Sequence, residues 1–399
     1  MIANRNYIKI LDLIKDSINL DKHSLPIQLH EPDFNQTNSL SYLSDCIETG
    51  WVSSAGKWVN EFENKLCEFT GARYAIAVVN GTAALRLALH LVGVRAGDEV
   101  ILPPMSFVAT ANAISHLGAV PHFVDIENES LGLCPLEVKE RLDSIALKVN
   151  NHVINRETGR KISAILPVHI FGTPSKILEL LNISEEWNIP LVEDAAEALG
   201  SFKYDNKKLI HCGLFGKLGI LSFNGNKILT TGGGGALITN DQKIAKLARH
   251  LSTTAKKNHK WDFYHDYVGW NDRLPNINAA LGVAQIEDLA SRIEKKRNLH
   301  KKYSEKFELF NELEILKPSD DCISNYWLIT LRLNLSKAIL EEYRIGLLEL
   351  AHESGILLRP VWRLLNELPM YQNSPKGQLK VAEDMSKRLI NLPSSPQLL

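Results

Sequence analysis

Short apolar segments that alternate with longer amphipathic ones constrain the fold of this chain more than any other feature. From Tyr74 onward, apolar runs of strand length recur, and stretches with apolar residues at helical spacing separate them, as at 82–94 and 107–118. Each separating stretch is long enough for a right-handed crossover between parallel strands, so the pattern predicts an α/β sheet. The predicted strands are 74–79, 98–103, 119–126, 163–170 and 189–195.

The pattern changes after Pro275. Residues 277–310 carry apolar residues at helical spacing with basic residues between them, which predicts one long helix that leads into a second domain. A chain of 399 residues also exceeds the usual size of a single hydrophobic core. We therefore expect an N-terminal arm or helix at 1–38, a large α/β domain with a mostly parallel central sheet at 39–285, and a smaller α+β domain at 286–399.

Charge and cysteine usage argue against several classes of function. The 45 Lys and Arg residues nearly balance the 46 Asp and Glu residues, so no long-range field favours nucleic acid or an anionic membrane. The five cysteines are scattered and lack C-x-x-C spacing, which argues against a disulfide framework or a zinc site and favours the reducing cytoplasm. Residues 1–20 do not resemble a signal peptide, and no apolar run is long enough to span a bilayer. We expect no metal, nucleic-acid or membrane partner.

The segment SFNGNKILTTGGGG, residues 222–235, is the most informative motif. Lys227 follows the apolar run GILSF and precedes two threonines and four glycines. A lone lysine is usually a solvated charge, but consecutive glycines indicate a backbone that passes close to a bulky group and leaves room for it. A lysine that attacks a carbonyl must be partly desolvated and must hold its partner within bonding distance. The glycine run fits neither G-x-G-x-x-G/A nor Walker A, and Lys227 is a candidate for a lysine of this kind.

A helix start after the first predicted strand is a candidate anion site. In VVNGTAALRLAL the strand ends at Asn80 and the helix opens at Gly81 and Thr82, so free amides and the positive end of the helix dipole point beyond the strand. Ser222 can add a hydroxyl to the same place. Turns of this kind also occur as simple capped helix starts, and the motif alone leaves both interpretations open. A buried phosphate requires several donors, because each hydrogen bond to a charged group returns only about 1.5–3 kcal/mol.

Asp194 ends the apolar run IPLVED at the carboxyl end of a predicted strand, where ligands bind in open α/β sheets. A carboxylate beside a pyridine nitrogen keeps that nitrogen protonated, and the protonated ring is an electron sink. An aspartate after a strand is also a common helix N-cap, so this residue alone decides nothing. Few chemistries, however, require an anion-binding turn, an acid after a middle strand and a glycine-flanked lysine together.

With these motifs the chain resembles the fold-type-I pyridoxal-phosphate aminotransferases of the DegT/DnrJ/EryC1/StrS family, from about Leu29 to the C-terminus. The stretches that carry the resemblance are ETGWVSSAGKWVNEFE, VVNGTAAL, SFVATANAISHLGAVPHFVD, SFNGNKILTTGGGG, GWNDRLPNINAALGVAQIE and LLRPVW. They are most similar to enzymes that aminate C4 of UDP-4-keto-6-deoxy-N-acetylhexosamines in bacillosamine and legionaminic-acid type pathways. The resemblance implies a ping-pong reaction with pyridoxal 5'-phosphate as cofactor, glutamate as amino donor and a UDP-keto-sugar as acceptor.

The resemblance also implies a role for each motif residue. Lys227 would bind the cofactor covalently and then move the proton between cofactor and sugar, first as nucleophile and then as general acid/base. Asp194 would pair with the pyridine nitrogen, and Phe107 would stack on the ring. The other implied cofactor contacts are Thr82, Ala83 and Ser222 at the phosphate and Glu197 near the ring hydroxyl, where many relatives have His or Gln.

A segment from the other subunit would complete the site. In this family Asn271, within GWNDRLPN, would reach the phosphate of the partner subunit's cofactor. Trp270 and Arg273 would then also serve the neighbouring site. The resemblance therefore implies an obligate homodimer with active sites at the interface.

Substrate contacts are less clearly indicated by the sequence. Arg359 and Trp362 in LLRPVW are candidate nucleotide-sugar contacts, because a guanidinium matches a diphosphate and an indole packs on a ring. His169, in PVHIFG, is a third candidate. Each of the three also has an ordinary structural interpretation.

Other functions remain open from the sequence. A C3 or other nucleotide-sugar aminotransferase of the same family would carry the same motifs. A sugar dehydratase of this fold replaces the lysine with histidine, which Lys227 disfavours. A non-enzymatic regulator that binds the cofactor or a sugar is disfavoured by the intact lysine, aspartate and phosphate turn and by the absence of a basic stripe.

Overall fold

The computed structural model describes residues 2–35 and 37–399. Within these residues the α-helices are α1 (Ile2–Ser17), α2 (Ser39–Glu48), α3 (Lys57–Thr70), α4 (Gly81–Leu91), α5 (Ala109–Ser115), α6 (Pro135–Ile145), α7 (Ile177–Trp187), α8 (Gln242–Ser252), α9 (Asn276–Glu287), α10 (Leu289–Phe307), α11 (Lys337–Glu353) and α12 (Lys380–Arg388). Short 3₁₀ turns lie at Leu20–Lys22, Ile170–Gly172, Leu365–Glu367 and Pro396–Leu398.

The strands alternate with these helices through much of the chain. They are β1 (Tyr74–Val78), β2 (Glu99–Leu102), β3 (Val120–Phe123), β4 (Ala146–Val149), β5 (His152–Asn155), β6 (Lys161–Ile165), β7 (Val192–Asp194), β8 (Phe202–Asp205), β9 (Lys208–His211), β10 (Leu218–Ser222), β11 (Gly235–Thr239), β12 (Leu313–Ile315), β13 (Cys322–Ile323), β14 (Ile329–Leu333), β15 (Arg359–Pro360) and β16 (Leu389–Leu392).

The central sheet has the strand order β3-β2-β6-β7-β10-β11-β1. β2 pairs in parallel with β3 and β6, and β7 pairs in parallel with β10. Parallel bridges at Ile165–Leu191 and Val168–Asp194 join β6 to β7. β11 is antiparallel to both of its neighbours, and β5 is antiparallel to β6 and to β4, which extend the sheet beside the start of β6. The predicted fold class, an α/β domain with a mostly parallel sheet, is confirmed.

The strand directions bring three chain segments to one edge of this sheet. β1, β7 and β10 run the same way, so their carboxyl ends lie together. β1 leads into the start of α4, β7 ends at Asp194, and β10 ends at Ser222. This edge is where ligands bind in open α/β sheets.

All five predicted strands are present as β1, β2, β3, β6 and β7, each shorter than the apolar run that predicted it. The strand end that lies furthest from its predicted position is that of β6, which ends at Ile165 although the apolar run continues to 170. Pro167 has no amide hydrogen and cannot donate to the ladder, which interrupts the strand. Its carbonyl still accepts from the amide of Asp194 at 2.9 Å, so the segment stays beside β7.

The prediction of one long helix at 277–310 is wrong. The segment forms two helices, α9 and α10, which meet at Asp288. The backbone of Asp288 has φ −107° and ψ 6°, outside the helical region, and its side chain pairs with Arg292 at 3.2 Å. Aspartate competes with helix interiors by local hydrogen bonding and favours helix starts. Because the break takes one residue, the helical spacing of apolar residues continues across it and hides the break.

A second hydrophobic core combines the N-terminal helix with the C-terminal part of the chain. Apolar side chains of α1 pack with those of α10, α11 and strands β12, β14 and β16. The rings of Tyr7 and Tyr343 meet edge to face at 4.7 Å. A Cβ on Gly346 would lie 2.6 Å from the Tyr7 ring, so only glycine lets α11 approach α1 this closely. α1 therefore belongs to the same core as the small domain, and the predicted domain boundaries remain a prediction.

Two smaller features complete the architecture. β12, β14, β16 and β15 form the sheet of the C-terminal part, and β13, β8 and β9 form a three-stranded sheet. In the part of the chain that the structure describes, no helix is both long enough and apolar enough to cross a bilayer.

Candidate active site

A cavity of about 500 Å³ opens at the sheet edge where β7 and β10 end and α4 begins. Residues of the C-terminal part, among them Trp327 and Leu328, line the same cavity as residues of the central sheet. Most of the predicted site residues line it, namely Thr82, Phe107, Asp194, Glu197, Ser222, Lys227, Arg359 and Trp362. The structure therefore brings together segments that are far apart in the sequence.

Lys227 lies in the loop between β10 and β11. Its amide donates to Asn224 O at 3.0 Å, which fixes the backbone of the loop. Its side chain is 12% exposed, and Nζ lies 3.5 Å from Glu197 Oε1 and 3.9 Å from the centroid of the Trp327 ring. The amine is thus shielded from bulk water and faces the cavity, as covalent attachment of a carbonyl compound requires.

The four glycines after Lys227 do not line the cavity, which corrects the expectation that they leave room for a bulky ligand. Gly232 has φ +78°, in the left-handed region that favours glycine. A Cβ on Gly235 would lie 2.5 Å from the backbone carbonyl carbon of Asn80. At Gly235 the bulky neighbour is the chain itself, because this glycine lets β11 pass the start of α4.

Asp194 is held at the end of β7 by two hydrogen bonds. Thr110 Oγ1 donates to Oδ2 at 2.8 Å, and the amide of Ala196 donates to Oδ1 at 3.2 Å. Burial raises the pKa of Asp194 above its ordinary value, and these hydrogen bonds and the charge of Lys227 oppose that shift. Among the residues that the structure describes, Asp194 forms no ion pair. A cationic group of a ligand would therefore stabilise this carboxylate.

Glu197 lies one turn beyond Asp194 and contacts the lysine directly. Its Oε2 accepts from the amide of Phe171 at 2.7 Å, and its Oε1 is the oxygen that faces Lys227. Burial raises the pKa of Glu197 to about 6, while Lys227 and the Phe171 amide favour the ionised form. Glu197 can therefore change protonation state in the range where an enzyme works.

The raised pKa of Glu197 makes the stability of the protein depend on pH. The ordinary pKa of a glutamate is about 4.3. Between that value and about 6 the folded protein binds more protons at Glu197 than the unfolded chain, so the free energy of unfolding falls as pH rises through this window. We expect Glu197→Gln, which keeps an acceptor for the Phe171 amide, to remove that fall and to stabilise the cofactor-free protein at pH 8 by up to about 2 kcal/mol.

Urea unfolding at pH 4 and pH 8 measures this effect. The exposed Glu349 on α11 provides the control, and Glu349→Gln should follow the wild-type profile. A Glu197→Gln profile that runs parallel to the wild type between the two pH values would contradict the prediction.

The start of α4 has the features predicted for an anion site, with one difference. The Asn80 side chain caps the helix by accepting from the amide of Ala83 at 2.8 Å. Thr82 lines the cavity, whereas Ala83 does not, and an anion would have to compete with Asn80 for the Ala83 amide. A Cβ on Gly81 would lie 3.0 Å from Ser222 Cβ, so glycine lets the helix start contact the end of β10. The Ser222 hydroxyl and the first amides of α4 therefore face one place.

Aromatic side chains form another wall of the cavity. Phe107 is 51% exposed although it lines the cavity, so one face of its ring is open to a ligand. Its centroid lies 6.1 Å from that of Trp362, which in turn stacks on Phe171 at 5.3 Å. Arg359 is exposed on β15 next to this wall.

The structure does not bring His169 into the cavity. The side chain is fully buried, and its Nδ1 accepts from the amide of Ser175 at 3.1 Å. Nε2 must then carry the ring proton, and it donates to Glu193 Oε2 at 3.0 Å. Glu193 also accepts from the amides of Gly213, Phe215 and Gly216. His169 thus supports the strand behind Asp194 rather than a substrate.

Asn271 also lies outside the cavity of its own chain. It is exposed, and its Oδ1 accepts from Arg273 Nη2 at 3.1 Å. Trp270 packs against α4 of the same chain, with Arg86 4.8 Å from its ring centroid. The amide of Val79 donates to Asp272 O at 2.8 Å, which anchors this segment beside the end of β1.

The residues present fit pyridoxal phosphate. An amine at Lys227, a buried carboxylate without a cationic partner at Asp194 and an open aromatic face at Phe107 surround the same space as the amides of α4. These groups match the aldehyde, the pyridine nitrogen, the ring face and the phosphate of that cofactor. In the part of the chain that the structure describes, no group of three or more His, Cys, Asp or Glu side chains is placed to hold a metal ion.

Sequence reasoning missed three residues of the site. Thr110 holds Asp194, Trp327 packs against Lys227, and His30 lines the cavity from the N-terminal segment. Thr110 was detectable as a hydroxyl in the segment after Phe107. Trp327 and His30 reach the site only through packing of the C-terminal part against the sheet, and no local pattern marks them.

Comparison with known proteins gives sequence matches over most of the chain. A model of the DegT/DnrJ/EryC1/StrS aminotransferase family matches residues 34–399. GDP-perosamine synthase from Escherichia coli O157:H7 is 34% identical over 357 residues, which cover 90% of either chain. UDP-4-amino-4,6-dideoxy-N-acetyl-beta-L-altrosamine transaminase from Campylobacter jejuni (serotype O:23/36, strain 81-176) is 33% identical over 271 residues, 67% of either chain.

Solved structures match the fold over a similar extent. The aminotransferase TlmJ from Streptoalloteichus hindustanus has a TM-score of 0.81 and 26% identity, and the match covers 93% of this chain and 94% of that one. NtdA from Bacillus subtilis, solved with bound cofactor PMP, has a TM-score of 0.75 and 25% identity, with 90% of this chain and 78% of that one covered.

Proposed function

We propose, from the premise that this chain belongs to the DegT/DnrJ/EryC1/StrS aminotransferase family, that it transfers an amino group from glutamate to C4 of a UDP-4-keto-6-deoxy-N-acetylhexosamine. Membership makes the protein a pyridoxal-phosphate-dependent aminotransferase and sets the non-enzymatic alternative aside. One observation carries the proposal. Lys227, Asp194 and the start of α4 line a single cavity, so an amine, a buried carboxylate and an anion-binding helix end face the same space.

Each residue of the cavity would have its own role in this reaction. When bound, the cofactor supplies an electron sink for the carbanion at the reacting substrate carbon. Lys227 Nζ would hold the cofactor and, once released from it, would take up and return the proton at that carbon. Asp194 would keep the pyridine nitrogen protonated, and Phe107 would exclude water from the ring face. Ser222 and the first amides of α4 would bind the phosphate.

Glutamate and the sugar would use this cavity in turn. Glutamate would enter first and give up its amino group, and the keto sugar would enter second and receive it. Arg359 is exposed at the rim and would pair with the diphosphate, while Trp362 would pack on a ring of the nucleotide sugar. Both roles place the nucleotide towards the C-terminal part of the chain.

GDP is a second candidate for the nucleotide. The Escherichia coli relative named for GDP-perosamine matches 90% of this chain, whereas the Campylobacter relative named for a UDP sugar matches 67%. The name of the latter enzyme places an amino group at C4, which supports C4 over C3. The shared motifs bind cofactor, so they do not select the base.

A substrate panel tests the proposal. The purified enzyme is incubated with glutamate and UDP- or GDP-linked 4-keto and 3-keto sugars, and products are read by mass. We expect amination of a UDP-linked 4-keto-6-deoxy-N-acetylhexosamine at the highest kcat/KM. Preference for a GDP sugar would move the proposal to the second nucleotide, and amination of the 3-keto sugars alone would contradict C4 transfer.

We also propose that the enzyme is a homodimer with active sites at the interface. The segment before Asn271 exposes four large aromatic side chains, Trp261, Phe263, Tyr264 and Tyr267. A cluster of exposed aromatics is typical of a protein interface. Asn271 is the exposed residue that would then reach the partner's phosphate site. The contact between Val79 and Asp272 supports the alternative that the segment serves its own chain.

Mixed dimers distinguish these alternatives. Asn271→Ala and Lys227→Ala homodimers should each be severely impaired. In a mixed dimer one site would combine an intact Lys227 with an intact Asn271 from the other chain. Random reassociation makes half of the dimers mixed, and each has one intact site of two, so we expect recovery of about a quarter of wild-type activity.

The readout is amination by the separate and the co-refolded variants. Recovery that is absent after mixing would show that Asn271 serves its own chain. An Asn271→Ala enzyme with normal activity would remove the residue from the site.

We further propose a role in the biosynthesis of amino sugars in the cytoplasm. Relatives are named for nucleotide sugars, and amination of such sugars would serve the biosynthesis of a surface polysaccharide or glycan. All five cysteines are free, which suits the reducing cytoplasm, where nucleotide sugars and glutamate are available.

A further inference from the structure

His30 lines the same cavity as Lys227 and has no role so far. Its side chain is 9% exposed, and among the described residues neither Nδ1 nor Nε2 has a hydrogen-bond partner, although both are buried. Buried polar atoms are nearly always paired, because an unpaired one is unfavourable. A molecule in the cavity, a ligand or a water, is therefore a candidate partner for this ring.

The backbone on both sides of His30 is fixed. Leu29 O accepts from the amide of Ser394 at 2.8 Å, and the amide of Glu31 donates to Ser395 Oγ at 2.9 Å. Ile27, three residues before His30, bonds to the segment that follows α11. The backbone that carries the ring is thus held from the C-terminal part of the chain, and only rotation of the side chain can bring the ring nitrogens to a partner.

The surroundings of the ring keep it neutral. Burial, together with the charges of Lys296, Lys227 and Arg292, lowers the pKa of His30 well below its ordinary value. The backbone of Asn226 lies close enough to oppose this shift, but it makes no hydrogen bond of normal geometry with the ring. A neutral imidazole has one nitrogen that donates and one that accepts.

We propose that His30 recognises the sugar, by donating one hydrogen bond to, and accepting another from, polar groups on the two ring carbons that precede the reacting carbon C4. The candidate groups are the hydroxyl at C3 and the acetamido group at C2. This proposal rests on the proposed function. A hydroxyl and a secondary amide each donate and accept, as a neutral imidazole does. A carboxylate or phosphate only accepts, so the carboxylates of glutamate and the cofactor phosphate would leave the accepting nitrogen unpaired, while the α-amino group of glutamate is the group that reacts.

Separate measurement of the two half-reactions tests the proposal. His30→Leu should lower kcat/KM of the sugar half-reaction by about 10- to 100-fold, because sugar groups lose their partner in a buried site. The glutamate half-reaction should stay within about threefold of the wild type. His30→Gln, which keeps a donor and an acceptor, should recover part of the loss. The exposed His152 supplies the control, and His152→Leu should change neither half-reaction.

Substrate analogues identify the group that His30 contacts. A 3-deoxy sugar and a sugar with hydroxyl in place of the 2-acetamido group are compared with the full substrate in wild type and His30→Leu. The wild type should lose activity on the analogue that lacks the contacted group, and the variant should lose little more on it. Equal losses in both proteins on both analogues would overturn the proposal.

Stability separates recognition from a structural role. Because the ring makes no hydrogen bond to the residues that the structure describes, His30→Leu should leave the thermal midpoint of the ligand-free protein unchanged or higher. A lower midpoint, or equal slowing of both half-reactions, would show that the ring supports the fold or the cofactor instead. A wild type that aminates none of the keto sugars would overturn the proposed function, whereas a His30→Leu enzyme as fast as an active wild type would overturn the role of His30 alone.

Discussion

Lys227→Ala is expected to lower amination by at least about 10⁴-fold and to abolish the visible absorbance of the lysine-linked cofactor, while the fold remains. Lys227 Nζ is the amine that faces both Glu197 and the cavity, within 3.5 Å of the Glu197 carboxylate. Its removal eliminates the covalent attachment point and the group that would move the proton at the reacting carbon. The loss should affect both half-reactions, since each requires that proton transfer.

Exposed Lys217, just before β10, provides the control. Lys217→Ala should retain activity and absorbance. Circular dichroism and size-exclusion chromatography should give the wild-type result for both variants, because within the described residues the Lys227 side chain bonds to the Glu197 carboxylate and to no backbone group of the loop. Retained turnover in Lys227→Ala would remove the residue from the mechanism and with it the proposed function.

The sequence predicted the sheet well because the strands of a parallel sheet are buried on both faces. Their apolar runs are long, and the crossover helices between them are distinct. The break at Asp288 was not predictable from periodicity, since one non-helical residue does not disturb the spacing of the apolar positions on either side. The packing of α1 into the C-terminal core is a long-range contact, which no local pattern records.

The residues of the site also fall into those that local sequence patterns could predict and those that only tertiary packing determines. Lys227, Asp194 and the start of α4 follow strand ends, so the topology of the sheet places them together, and motif reasoning could find them. Trp327 and His30 enter the cavity from elements that pack against the sheet, so their positions depend on tertiary structure. The glycines after Lys227 were a motif that indicated room for a ligand. In the structure Gly235 instead lets β11 lie close to Asn80.

Asp194→Asn is expected to leave the cofactor bound and to slow both half-reactions by about 10²- to 10⁴-fold. The amide has the shape of the carboxylate and can still bond to Thr110 and Ala196, so the local structure should persist. Being neutral, it cannot stabilise a protonated pyridine nitrogen, and the ring then loses its capacity as an electron sink. Stopped-flow measurement of each half-reaction, with cofactor content checked by absorbance, gives the result.

Thr110→Val should have a smaller effect on the same two rates than Asp194→Asn. It removes the hydroxyl that donates to Oδ2 at 2.8 Å but keeps the charge of the carboxylate, so it should slow both half-reactions by only about tenfold. The two half-reactions must fall together in both variants, because Asp194 would support the same electron sink in each of them. A slow sugar half-reaction beside a normal glutamate half-reaction would place Asp194 in substrate recognition, the pattern expected of His30, and an unchanged rate would remove its charge from the chemistry.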